Sequence, residues 1–286
     1  MADAKVLLGK PVARDINETS RERAEAPTNK LGRALKLVVL SVNDPAGASY
    51  LKSISSAAKQ VGVEMVSHQI GNEASTESYV EGLFGLNRDS SVDGILVQTP
   101  LPPKVSLTRV ARAINPEKDV DGISPTQAGY LFQGLKSALL PSTARAAIEI
   151  LDYNNYGLQG LEVVIIGRSL VVGRPFGLMA LSRNATVTWC HSKTHGIKSV
   201  CKRAEILVVA IGKPRMVDQT YVRPGATVID VGINVDDDGK LCGDVDSDSI
   251  QSIAAAYTPV PGGVGPVTSA CLIANLVDAV KRRTET

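Results

Sequence analysis

The stretch LEVVIIGRSLVVGRP, residues 161–175, decides the fold. Its apolar, β-branched run at 163–166 is short and ends at Gly167. Such a run predicts a strand buried on both faces of a parallel sheet. Gly173 follows six residues later, and the spacing of Phe176, Leu178, Met179, Ala180 and Leu181 predicts a helix. A strand, a glycine turn and a helix N-terminus form an anion site, because backbone N–H groups and the helix dipole face a phosphate. The spacing is Gly-x5-Gly rather than the Gly-x-Gly-x-x-Gly of the dinucleotide fingerprint, so the turn alone also suits any βα connection of an α/β protein.

The next strand sharpens the reading. ATVTWC at 185–190 alternates as a strand does and runs into HSKT at 191–194. NAD sites place an acidic residue about 20 residues past the first glycine, on the ribose 2′-hydroxyl. Here Ser192, Lys193 and Thr194 offer hydroxyls and a cation, and Arg168 sits beside the first glycine. This set suits a 2′-phosphate and predicts NADP. The competing reading is a solvated loop with unrelated charges.

Composition bounds the class. The 286 residues allow two domains, and 44% hydrophobic with 21% charged residues fits a soluble enzyme. A net charge of +2 implies no nucleic-acid or membrane partner. The N-terminal MADAKVLLGK has no apolar core of a secretory signal, and no run of eighteen apolar residues occurs. Cys190, Cys201, Cys242 and Cys271 are scattered, as reduced thiols of a cytoplasmic protein would be. His191 and His195 have no acidic partner, so no metal site is expected.

Outward from the central stretch, the first half reads as helix 11–30, strand 35–42, turn 43–47, helix 48–61, strand 64–70, helix 76–87 and strand 92–98. This order makes a first α/β unit. PEKDVDG at 116–122 is a polar loop in which Asp121 stands before Gly122. A helix at 142–153 leads into the second unit, which continues with strands 206–211 and 227–231 and a hairpin tip at 236–239. PVPGGVGP at 259–266 reads as a rigid loop of bare backbone, and 268–282 as an apolar-faced helix.

Five motifs then stand in one order: VQTPLP at 97–102, KDVDG at 118–122, GRS with VGRP at 167–175, DVGIN at 230–234 and PVPGGVGPVT at 259–268. On these the chain resembles the methylenetetrahydrofolate dehydrogenase/methenyltetrahydrofolate cyclohydrolase family over nearly its whole length. The resemblance implies two α/β domains: a folate-binding catalytic domain at 1–140, and a Rossmann-type NADP-binding domain at 141–267. A C-terminal helix, 268–284, would pack back on the first. It further implies a folate held between the domains, NADP as cofactor and a homodimer.

The same resemblance assigns residues. Tyr50 matches the tyrosine that packs on the folate ring, Gln98 the glutamine that reaches the reacting region, and Asp121 the carboxylate that binds the pterin. Pro261, Gly262 and Gly263 match the loop against the substrate. Gly167, Arg168, Ser169, Gly173, Ser192, Ile233 and Thr268 match the cofactor-binding positions. Tyr50, Gln98 and Asp121 each have an ordinary alternative, namely a core tyrosine, a strand-end glutamine and a loop aspartate.

One departure matters most. The family carries lysine in a Tyr-x-x-x-Lys pattern, and here the position holds Ile54. Lys52 does not substitute, because on a helix it points about 200° from Tyr50. Smaller departures are Thr99 for leucine and Ala144 for proline. Dehydrogenation asks mainly for positioning, since the substrate's nitrogen lone pair stabilises the cation formed. Hydrolysis of the methenyl cation needs proton transfers that isoleucine cannot perform. The sequence thus predicts an NADP-dependent 5,10-methylenetetrahydrofolate dehydrogenase with weak or absent cyclohydrolase. The alternatives are a relative reducing another cyclic imine, a conventional bifunctional enzyme, or a non-catalytic folate- or nucleotide-binding protein.

Overall fold

The computed structural model describes residues 3–42 and 45–285. Along the chain stand β1 (Lys5–Val6), α1 (Gly9–Leu31), β2 (Lys36–Val42), α2 (Pro45–Val61), β3 (Glu64–Ile70), α3 (Thr76–Arg88), β4 (Gly94–Val97), α4 (Leu107–Ala113) and α5 (Pro125–Phe132). Then follow α6 (Ser142–Tyr153), β5 (Glu162–Ile166), α7 (Gly173–Leu181), β6 (Thr186–Cys190), α8 (Ile197–Cys201), β7 (Ile206–Val209) and β8 (Thr227–Asp230). The short hairpin strands β9 (Asn234–Val235) and β10 (Leu241–Cys242), α9 (Ser247–Ile250), β11 (Ala256–Tyr257) and α10 (Val264–Glu285) complete the chain.

The chain divides into two compact units. Residues 14–142 with 269 onward form one, and residues up to 13 with 143–268 form the other. By compactness the first thirteen residues group with 143–268, whereas the sequence reading set them with the domain at 1–140. The cause is β1, which pairs in parallel with β11, Lys5 opposite Ala256 and Val6 opposite Tyr257.

In the unit built on residues 14–142, β2 lies between β3 and β4 in a three-stranded parallel sheet. Successive strand residues face opposite sides. Leu37 and Val39 join one apolar cluster with Ile54, Ala57 and Ala58 of α2 and with Leu272, Ile273, Leu276 and Val277 of α10. Val38 and Leu40 join another with Tyr79 and Leu83 of α3 and Val110 of α4. Among the described helices α10 alone is long and apolar enough to cross a membrane, yet 78% of its apolar window is buried inside the protein.

The other unit holds a six-stranded sheet in the order β1-β11-β8-β7-β5-β6, and every pairing in it is parallel. From β5 the chain steps to β6 on one side and then crosses to β7 on the other. That reversal opens a crevice at the strands' C-terminal ends, where ligands of open α/β sheets bind. Val164, Ile166, Leu207, Val209 and Val228 form one buried face.

Two local expectations need correcting. The turn at 43–47 lies partly outside the described residues, and from Pro45 onward the chain is helical. Proline suits a first helical turn, where its missing N–H leaves no bond unmade. The loop read at 259–266 ends sooner, because α10 already begins at Val264.

Candidate functional site

Tyr50, Asp121 and Ser142 meet in the first unit. Gly122 is what lets the 119–122 loop lie flat: its φ is +62°, and a Cβ there would stand 2.2 Å from the Leu139 carbonyl oxygen. Asn275, buried on α10, donates from Nδ2 to the carbonyls of Val120 and Leu140, both at 2.8 Å, and ties the two segments together. Asp121 then accepts the Ser142 backbone N–H at 3.2 Å and the Ser142 hydroxyl through the same Oδ1. Burial pushes the Asp121 carboxyl above its usual range, with the Ser142 bonds opposing. Burial also pushes the Tyr50 hydroxyl up, and the nearby Asp121 charge adds to it. Tyr50 is a neutral phenol throughout the physiological range.

Gln98 follows directly on β4 and is 5% exposed. Its Nε2 donates to the Gly47 carbonyl at 3.0 Å, near the start of α2. That acceptor fixes which way the amide faces. Its Oε1 is buried and has no hydrogen-bond partner in the protein. A buried, unpaired acceptor costs about 1–3 kcal/mol, so its retention calls for a ligand donor or an ordered water.

Ile54 stands one helical turn from Tyr50 and is fully buried, at 0% exposure. Its neighbours are the aliphatic residues of the α2–α10 cluster, against which Tyr50 also packs. The adjacent Ser53 accepts the Ser269 hydroxyl at 2.8 Å. Lys52 is exposed.

In the second unit Gly167 ends β5 with φ +132°, and a Cβ on it would stand 2.3 Å from the Ala210 carbonyl oxygen. Gly173 is as tightly held, 2.4 Å from the Gly167 carbonyl oxygen by the same measure. Ser169 shapes the arch between them. Its hydroxyl accepts the N–H groups of Val172 at 3.1 Å and Gly173 at 3.3 Å, and its carbonyl accepts that of Arg174. The first N–H groups of α7 are therefore occupied, contrary to the expectation that they face a phosphate. Among the described residues, the backbone N–H groups of 168–171 donate to no protein group. These free donors lie in an exposed arch one step before the helix, the kind of backbone concavity that suits an anion. Arg168, Ser192 and Lys193 are exposed, and neither cation pairs with a carboxylate among the described residues.

The remaining predicted positions fall in the same unit. Ile233 is 65% exposed, an apolar side chain on the loop after β8. Pro261 and Gly262 form a bare loop whose Gly262 carbonyl accepts the Gly9 N–H at 2.8 Å, and Gly263 leaves no room for a Cβ beside Pro259 and Thr258. The Thr268 hydroxyl donates to the Val264 carbonyl one turn earlier at 3.2 Å. No group of three or more metal-ligating side chains occurs among the described residues.

Sequence reasoning missed two buried carboxylates in this unit. Asp230, at the end of β8, accepts three backbone N–H groups, and Asp244 accepts three more and a side-chain amide. The Asp–x–Gly spacing at 230–232 was the available signal, since a short acidic side chain beside a glycine commonly folds back on the backbone.

Comparison with known proteins agrees with this geometry. Residues 7–121 match the family model described as tetrahydrofolate dehydrogenase/cyclohydrolase, catalytic domain, and residues 141–284 its NAD(P)-binding domain. The bifunctional protein FolD of Agathobacter rectalis is 43% identical over 279 residues, covering 98% of this chain and all of that protein. The crystal structure of the bifunctional enzyme FolD from Campylobacter jejuni superimposes with a TM-score of 0.93 at 36% identity, covering 98% and 99% of the two chains. FolD of Trypanosoma brucei, solved with NADP cofactor and inhibitor, superimposes with a TM-score of 0.92 at 31% identity over the full length of both. Two α/β units, a glycine arch at the sheet's crevice and matches along both units leave one assignment: the chain belongs to the tetrahydrofolate dehydrogenase/cyclohydrolase family.

Proposed function

We propose that this protein is an NADP-dependent 5,10-methylenetetrahydrofolate dehydrogenase in which the cyclohydrolase activity is weak or absent. The observation that carries the second half is Ile54, wholly buried among aliphatic side chains one turn from Tyr50. The first half rests on the retained Tyr50, Gln98 and Asp121 together with the family match.

The donors present fit NADP. The 168–171 arch offers unpaired N–H groups, the end of β6 carries no carboxylate, and Arg168, Ser192 and Lys193 supply donors for a 2′-phosphate. NADP, when bound, supplies the hydride acceptor. The exposed Ile233 gives the cofactor an apolar contact, and the bare backbone at Pro261, Gly262 and Gly263 lets a flat ring approach closely. In the other unit, Tyr50 offers a ring face to the pterin and p-aminobenzoyl system. Asp121 accepts from pterin N–H groups, its free oxygen being the one that Ser142 leaves open. Gln98 Oε1 accepts a donor of the bound folate and so satisfies its own buried lone pairs. These groups orient the methylene carbon, whose hydride loss is assisted by the substrate's own nitrogen.

Hydrolysis of the product demands more. Water must lose its protons as its oxygen adds to the methenyl carbon and becomes the formyl oxygen, and the ring nitrogen whose bond to that carbon breaks must gain one. Ile54 has no exchangeable proton, burial holds the Tyr50 phenol in its neutral form, and the Asp121 carboxylate is engaged by Ser142. Loss of a general acid–base group costs about 10²–10⁴-fold.

The test mixes purified protein with 5,10-methylenetetrahydrofolate and NADP and follows reduced nicotinamide and the methenyl product together. Both should rise, with the methenyl form decaying no faster than in buffer. Accelerated decay would make the protein a conventional bifunctional enzyme. If neither signal rises, a different cyclic imine or a binding role replaces this reading. A cytoplasmic homodimer completes the proposal, supported by four buried free thiols and by the family resemblance, and light scattering tests the mass.

A further inference from the structure

Asp244 is 0% exposed and pairs with no cation among the described residues, yet every acceptor site on its carboxylate is used. Oδ2 takes the N–H groups of Ile211 at 2.7 Å and Gly212 at 3.0 Å. Oδ1 takes the Lys213 N–H at 2.7 Å and the Asn234 amide at 2.9 Å. The Asp244 backbone N–H in turn donates to Asp230 Oδ1 at 3.1 Å, beside the Gly232 N–H at 2.9 Å, while Asp230 Oδ2 takes the Val245 N–H at 2.9 Å. Asp230 also reaches the next loop: its N–H donates to the Thr258 hydroxyl at 2.8 Å, which donates back to the Asp230 carbonyl.

Three segments that bear on the ligands are thus fastened to one another. Residues 211–213 leave β7 at the crevice, directly after Ala210, whose carbonyl abuts Gly167. Residues 232–234 carry Ile233. Thr258 is the root of the bare loop 259–263. Two glycines make room for the fastening rather than for any unusual backbone angle. A Cβ on Gly232 would stand 2.2 Å from the Asp244 carboxyl carbon, and one on Gly243 would stand 1.8 Å from Asp230 Oδ2.

We infer that Asp244 is a positioning residue for the dinucleotide: through Asp230 it locks the loops on either side of the cofactor crevice to each other and to the root of the substrate loop. A carboxylate is required because four donors converge on it. An amide would turn its own N–H₂ toward two of them, whichever way it faced, and the 211–213 loop would be released.

The experiment measures NADPH binding by fluorescence titration on the whole chain. Asp244→Asn should raise the dissociation constant about tenfold or more, the size expected when hydrogen bonds to a charged group are lost. KM for NADP should rise with it and kcat should fall less. Asn234→Ala removes only one of the four donors, keeps the protein folded, and should give a smaller rise in the same direction. Val222→Ala, a cavity in the same unit's core, serves as control: it lowers Tm without touching these loops, and its NADPH affinity should match the parent. An unchanged dissociation constant in Asn234→Ala and in folded Asp244→Asn overturns the inference, as does an equal weakening in Val222→Ala. Binding is read without folate, so a wild-type chain that binds NADPH but oxidises no folate defeats the proposed activity and leaves this result standing.

Discussion

Ser142 donates both its hydroxyl and its backbone N–H to a single oxygen of Asp121, the residue that stands against the first turn of α6. Asp121 thereby does two things with one carboxylate. It caps a helix start with one oxygen and leaves the other for the pterin in the proposed function. Asp121→Asn should lower kcat/KM for the folate by about 10–100-fold, the equivalent of about 1.5–3 kcal/mol for a charged hydrogen bond. Ser142→Ala should act mainly on KM, because the carboxylate stays and only its aim is lost. Steady-state kinetics with varied folate separates the two.

Ile54 offers a sharper test. Ile54→Lys sets an ammonium among aliphatic side chains and should lower Tm by several degrees, on the scale of about 1–3 kcal/mol. In the fraction that stays folded, hydrolysis of methenyltetrahydrofolate should rise above the buffer rate. Ile54→Met keeps the volume and should change neither quantity much. A folded lysine variant with no gain in hydrolysis would sink the link between this position and the missing activity.

Gln98→Met should cost most of the dehydrogenase activity while leaving Tm nearly unchanged. The substitution gives up the bond to Gly47 but also removes a buried oxygen that has no partner. The two effects are of similar size, about 1–3 kcal/mol each. A large fall in Tm would mean that Gln98 serves the fold rather than the ligand.

In the proposed function, cofactor choice rests on the exposed cations Arg168 and Lys193. Arg168→Ala and Lys193→Ala should each weaken NADP binding several-fold, about 1 kcal/mol or more for a phosphate contact, and leave NAD binding alone. Competitive titration of the two dinucleotides checks this. Equal losses for both would show that these side chains meet the shared pyrophosphate, and no loss for either that they meet no part of the dinucleotide.

Stability should fall as pH rises from about 4 to about 7. Burial pushes Asp119 up to about 6 and Asp230 up to about 7. Unfolded carboxyls titrate near 4, so in this window the native chain holds more protons than the unfolded one, and raising the pH favours unfolding. Below that window the sign reverses. Hydrogen bonds from Arg109, Ser91 and Thr220 lower Glu77, Asp89 and Asp218 respectively, and their stabilisation is lost as pH drops. Urea midpoints across the range give the slope. Asp119→Asn should flatten the part below about pH 6, and an unaltered slope there would remove Asp119 from the account.

Much of this was legible along the chain. The runs that became β2 and β5 are apolar on both faces, a pattern that needs only neighbouring residues to read. Tyr50, Gln98 and Asp121 were legible only as members of an ordered set of motifs, since each alone is an ordinary residue. What escaped depends on partners far away in sequence. Asp119 and Lys118 sit in a stretch that reads as a solvated loop, yet Asp119 is fully buried and Lys118 donates to the carbonyls of Leu86 and Asp89. Asp230 and Asp244 find each other across the β9–β10 hairpin, which no local pattern announces. That Ser169 occupies the N–H groups at the start of α7, leaving those of 168–171 free, can be seen only in three dimensions. β1 is two residues long, too short for any periodicity.

The two units are closed by each other's end of the chain: β1 finishes the sheet of the second, and α10 from residue 269 covers the first. On the ribosome this order imposes a delay. Residues 14–142 are made early, but the aliphatic face of Leu37, Val39, Ile54 and Leu96 receives Leu272, Ile273 and Leu276 only when synthesis is nearly over. At about 5–20 residues per second the nascent first unit waits on the order of ten seconds with that face uncovered. A chain whose last twenty residues are missing would leave a sticky intermediate rather than a smaller enzyme, and neither unit can be excised with a single cut.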